Sequence, residues 1–184
     1  MAKTATQVEG DVRRLLQDST LYTMISGEVY RNGLRPRDSQ KEDAVVIFST
    51  GLPTQIQSGV VIVNLYVPDI DPYGDGVFVR DGNRVERLEA LSQEWVDSLT
   101  AEVSCYRFRL QQTIYTESEP EIHQHVIVIR LVYDYFGDDY APKTVPQQAR
   151  IDAADSDDDS GYLPLLETED GDDIIIQPVM QKQK

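Results

Sequence analysis

Hydrophobic positions change their rhythm several times along the first 136 residues. Val8, Val12, Leu15 and Leu16 recur at helical spacing and predict an amphipathic helix over Thr6 to Leu16. Thr6 with Glu9 reads as a capping box, and Glu9 with Arg13 as an i,i+4 pair. A second helical turn is expected over Thr20 to Ile25, ended by Gly27. A short strand, Gly27 to Tyr30, precedes the polar stretch Arg31 to Asp43, which reads as an exposed loop. Ala44 to Phe48 and Gly59 to Val67 are apolar runs of strand length, with Gly51-Leu52-Pro53 as the turn signal between them. They predict a hairpin with a long mobile arm at its tip.

Asp69 to Gly82 is rich in Gly, Asp and Pro and reads as a connection. It leads into a second long helix, Arg84 to Glu102, with Val85, Leu88, Leu91, Trp95 and Leu99 as its buried stripe and Asn83 with Glu86 as its capping box. In the first of two closing strands Tyr106, Phe108 and Leu110 alternate with Cys105, Arg107 and Arg109. The second runs from His125 to Tyr133 and is apolar on both faces except at Arg130, as a central strand should be. Thr116 to Glu121 reads as the polar turn of their antiparallel hairpin. The order α-β-β-β-α-β-β predicts an α+β domain over residues 1–136, with two helices packed on one face of an antiparallel sheet.

Beyond Phe136 the rhythm stops. Residues 137–184 form an acidic extension with apolar islands at Tyr162-Leu163-Pro164-Leu165-Leu166 and Ile174-Ile175-Ile176. Residues 138–160 hold too few apolar groups to offset the entropy of ordering the chain, so they read as a spacer. The islands are too apolar to be purely a solvated tail. Tyr162, Leu163, Leu165, Leu166, Ile174, Ile175 and Ile176 are expected to dock on a sheet edge or groove of a neighbouring subunit or partner by strand addition; the alternative is a disordered end with no partner.

Charge narrows the partners. The net charge is −15. Residues 1–133 hold 13 basic and 19 acidic groups, and residues 134–184 hold 4 and 13. Neither part has the basic footprint of a nucleic-acid binder. No apolar run reaches the roughly 18 residues that span a bilayer, and Met1-Ala2-Lys3-Thr4 lacks the apolar core of a signal peptide, so a cytosolic protein is expected. The single cysteine, Cys105, excludes an intrachain disulfide.

Candidate chemistry is sparse. His123 and His125, two residues apart, share a face in a strand, as would Glu121, and could form a metal pair; polar strand-end residues are the plainer reading. Asp155 to Gly161 imitates a calcium loop, but its glycine and its twelfth position, Leu166, do not fit. Asp69, Asp71 and Asp75 could hold a cation or simply build turns. No nucleophile–base pattern and no phosphate-binding glycine loop appears, so no catalytic residue, metal or cofactor is assigned. Arg31, Arg35 and Arg37 in the long loop, with Arg107 and Arg109, are the candidates for subunit contacts.

The element order resembles that of the tail-terminator and head–tail completion proteins of long-tailed bacteriophages. The residues that carry it are the first helix with Leu21 to Tyr30, the strand around Val61 to Val67, the Val85–Leu99 helix and the two closing strands. The resemblance implies a small α+β structural protein of the virion without catalytic residues. It implies a homo-oligomeric ring, usually a hexamer, at the neck or the top of the tail tube. Such a ring is assembled in the host cytoplasm, contacts neighbouring neck and tail proteins, and lets DNA pass without sequence-specific binding. The acidic extension departs from the family's habit of stopping soon after the last strand. The alternative reading is a cytoplasmic adaptor whose acidic tail docks a partner; a third is an enzyme or metal protein without a recognisable motif.

Overall fold

The computed structural model describes residues 2–101 and 104–138. Three helices, α1 (Ala5–Gln17), α2 (Thr20–Met24) and α3 (Gly82–Ala101), accompany six strands: β1 (Val29–Arg31), β2 (Ala44–Leu52), β3 (Gln57–Pro68), β4 (Tyr106–Leu110), β5 (Tyr115–Glu119) and β6 (Gln124–Tyr135). A 3-10 turn, Pro120–Ile122, precedes β6. The sheet runs β1-β2-β3-β6-β4, and β5 also pairs with β6. The fold is the expected α+β arrangement.

Local signals place the helices, though not always through the residues expected. Thr4, not Thr6, caps α1: its hydroxyl accepts from the Gln7 N–H while Gln7 Oε1 accepts from the Thr4 N–H at 2.8 Å. Glu9 is thereby free to accept from the Phe48 N–H of β2 at 2.9 Å, so it ties helix to sheet. Arg13 does not serve as its ion-pair partner; its Nε donates to the Val29 carbonyl at 2.8 Å. At α3 the start moves back to Gly82, and Asp81 rather than Asn83 receives the Arg84 N–H. In both helices an acceptor just upstream of the first turn wins because it can reach an orphan N–H.

Two corrections concern the sheet. Its pairs are antiparallel except β1 with β2, which run parallel, because the loop of residues 32–43 carries the chain back before β2 begins. The segment expected as the closing turn, Thr116 to Glu121, is strand β5 followed by the 3-10 turn. β4 and β5 lie in succession along one edge of β6: Tyr106–Leu110 against Leu131–Tyr135, and Tyr115–Glu119 against Gln124–Val128. Polar residues suit such an edge, where side chains face solvent and deter unwanted pairing. The hairpin arm is strand to its tip, since β2 runs to Leu52 and β3 starts at Gln57.

The core lies between the helices and one sheet face. Val61, Val63 and Leu65 of β3 and Ile127, Ile129, Leu131 and Tyr133 of β6 meet Val8, Val12 and Leu16 of α1 and Val85, Leu88, Trp95 and Leu99 of α3. Alternate residues of the same strands point away from the helices. Ile47, Val60, Ile62 and Val132 lie half-buried on that outer face, with no helix over them among the described residues.

Candidate functional site

The arginine loop closes inward. Arg35 Nε donates to Asp43 Oδ2 at 3.0 Å, and its Nη2 donates to the Ser39 carbonyl at 3.1 Å and to Gln124 Oε1 at 2.8 Å. The guanidinium lies 4.0 Å from the Tyr66 ring centroid. Asp43 also accepts from the Glu28 N–H at 3.1 Å, and the buried Gln124 amide donates to the Ser39 carbonyl at 2.7 Å. Arg35 therefore fastens the loop to the start of β6. Arg31 packs across Gly10 of α1, where a Cβ would come within 2.9 Å of its Nη2. It shares an open groove of about 560 Å³ with Lys3, Asp11, Arg13, Arg14 and Asp138. Arg37 is exposed.

Arg107 and Arg109 take the opposite course. Alternation along β4 puts both on the outer face, beside Asp134 of β6. Their Nη2 and Nη1 stand 2.9 and 3.0 Å from one carboxylate oxygen of Asp134, while 65% and 56% of the two arginine side chains stay exposed. Burial pushes the Asp134 carboxyl up, but hydrogen bonds from Arg107 and Arg109 outweigh it and hold the group below the ordinary carboxylate range. One acid thus orients two cations toward solvent.

The histidines part company. His123 adopts the left-handed conformation (φ 52°) after the 3-10 turn and stacks on Phe78 with ring centroids 4.3 Å apart. His125 Nδ1 lies 2.5 Å from Asp69 Oδ1. Ser118 is the register partner of His125 on β5. No group of three or more His, Cys, Asp or Glu residues is placed to hold a metal among the described residues. Cys105 is half-buried, and no helix among the described residues is long and apolar enough to cross a membrane.

Both imidazoles instead pin the connection between β3 and α3, and its shape was not legible in the sequence. Ile70 and Val79 pair through two backbone hydrogen bonds of 2.9 Å, making a small antiparallel loop. The Asp71 carboxylate accepts from the Gly74, Asp75 and Gly76 N–H groups at 2.7, 3.2 and 2.9 Å. These bonds, that of Gly76 foremost, hold its pKa below the usual range. The carboxylate expected as a possible cation ligand is spent on the turn. Outside this frame Tyr73 is 87% exposed and Val77 59%, with Ile70, Phe78 and Val79 also open to solvent. Aromatic and β-branched residues inside a Gly/Asp-rich connection were the signal that could have marked them.

The tail docking residues Tyr162, Leu163, Leu165, Leu166, Ile174, Ile175 and Ile176, and the acidic run Asp155 to Gly161, lie outside the described residues.

No protein-family model matches the chain, and no curated protein matches it. Among the solved structures that do match, one with an uninformative name is 14% identical, covering 78% of this chain and 99% of its own, at a TM-score of 0.39. A likeness of that size carries no argument.

Proposed function

We propose that this protein is a structural subunit of a tailed-phage particle, forming a homo-oligomeric ring, with a hexamer as the expected number, at the neck or the top of the tail tube. The observation that carries the reading is the outer face of the sheet. All three helices lie with the buried cluster on the other side, leaving the half-buried Ile47, Val60, Ile62 and Val132, bordered by Arg107 and Arg109, with no helix over them among the described residues. A sheet face of this kind is suited to a neighbouring subunit. The reading takes its support from the resemblance drawn from the sequence. An acidic chain also suits a lumen that DNA must traverse without adhering.

Mass spectrometry and electron microscopy of purified virions test the reading. The expected result is the chain in stoichiometric amount in the particle, at a ring between head and tail. Its absence from virions in lysates where it is expressed rejects the reading.

A further inference from the structure

Two solvent-facing surface features sit at opposite ends of the same sheet. The pinned loop of residues 69–81 leaves the sheet where β6 begins, since the Asp69 N–H donates to the His123 carbonyl at 3.0 Å. It presents exposed Tyr73, Val77 and Phe78. Its flank is acidic: Asp71 and Asp75 lie within it, and Glu117, Glu119 and Glu121 are exposed on the adjacent β5 and 3-10 turn, against the single Arg80. At the far end of β6, Arg107 and Arg109 converge on Asp134 beside Val60, Ile62 and Val132. One end is thus apolar with acid around it, and the other is apolar with exposed guanidinium groups.

From His125 to Asp134 the strand covers roughly 30 Å at the ordinary rise per residue. The two ends cannot meet within one chain. Each can meet its complement on a second copy, and Asp71 holds the loop in shape before any contact forms, which lowers the ordering cost of association.

We infer that the loop of residues 69–81 is a docking knob that seats on the Arg107/Arg109 end of the outer sheet face of a second copy of this chain. The inference rests on the ring reading above and names the two surfaces that would join its subunits. Because the surfaces differ, the contact is heterologous, and repetition gives a ring or an open filament rather than a two-fold dimer. The charged rim sets register while the apolar residues supply the buried centre.

The test uses three full-length chains in sedimentation-velocity runs over a range of concentrations: wild type, Tyr73→Ser with Val77→Ser, and Arg107→Gln with Arg109→Gln. If the arginine variant fails to fold by circular dichroism, adding Asp134→Asn removes the carboxylate left without a partner. Wild type is expected to self-associate, and each variant to weaken association at least tenfold. An equimolar mixture of the two variants should form a dimer and stop there, because only one intact knob and one intact seat remain to combine. A wild type that stays monomeric at every concentration overturns the inference. So do variants that assemble like wild type, or a mixture that fails to pair. Presence in virions with undisturbed assembly of both variants would reject the knob and seat alone; variant-sensitive assembly of a chain absent from virions would reject the phage reading alone.

Discussion

The Arg35 guanidinium and the Asp43 carboxylate meet at 3.0 Å with only 10% and 1% of their side chains exposed. A residue that in sequence belongs to a polar surface loop is thus part of the interior, and its charge is matched by Asp43, Gln124 and the Ser39 carbonyl. Removing one partner leaves the other charge buried without compensation. Arg35→Ala is therefore expected to cost about 3–5 kcal/mol of stability in urea denaturation. Arg37→Ala, on the exposed side of the same loop, should stay within about 0.5 kcal/mol of wild type.

Gly59 of β3 pairs with Tyr133 of β6. A Cβ there would collide with the Thr50 carbonyl oxygen and stand 2.8 Å from the Tyr133 ring. Tyr133 is fully buried and cannot swing away. Gly59→Ala should cost about 1–3 kcal/mol by overpacking, read as a lower urea midpoint. Gly82→Ala, where nothing lies within reach of the new Cβ, is the matching control and should leave that midpoint in place.

Asp134 gives stability a definite pH dependence. Although burial pushes its carboxyl up, Arg107 and Arg109 hold the folded pKa below that of the unfolded chain. Its contribution is fully present above the unfolded carboxylate value of about 4 and is lost as pH falls through the lower folded value. The same sign applies to Asp11, where hydrogen bonds from Lys3 and Tyr106 outweigh the upward push of burial. Stability of the wild type should therefore decline on acidification below about pH 4, and Asp134→Asn should flatten part of that decline. Chemical denaturation at a series of acid pH values measures both.

The loop of residues 69–81 is expected to respond locally to Asp71→Ala. Loss of the carboxylate strips the acceptor from the Gly74, Asp75 and Gly76 N–H groups. Amide exchange at those three positions should accelerate, while core amides such as those of Ile127 and Ile129 keep their protection and the melting temperature does not move. Uniform loss of protection across β6 would show that Asp71 supports the whole fold instead.

His125→Ala should also free the loop, by removing the partner that sits 2.5 Å from Asp69 Oδ1. Nuclear magnetic resonance should show shifts concentrated in residues 69–81 and around His123. Shifts spread through α1 and β2 instead would contradict a purely local anchor.

Where side-chain period and burial coincide, the sequence alone determined the answer. Val8, Val12 and Leu16 at helical spacing, and Ile127, Ile129 and Leu131 at every second position, had one way to bury their apolar faces. That sufficed for the helices, the central strands and the α+β class. Tertiary structure decided what local pattern leaves degenerate. Thr116 to Glu119 are polar enough for a turn, yet form a strand because the edge of β6 offers unpaired backbone groups. Arg35, Arg107 and Arg109 are equivalent as letters. Asp43, across the loop, draws the first inward, while Asp134, across a strand pair, holds the other two outward. His123 and His125 look like neighbours on one face until a left-handed residue turns one toward Phe78 and Asp69 captures the other. Each of these outcomes depends on a partner distant in the chain, and a pattern confined to near neighbours holds no record of which partner folding will supply.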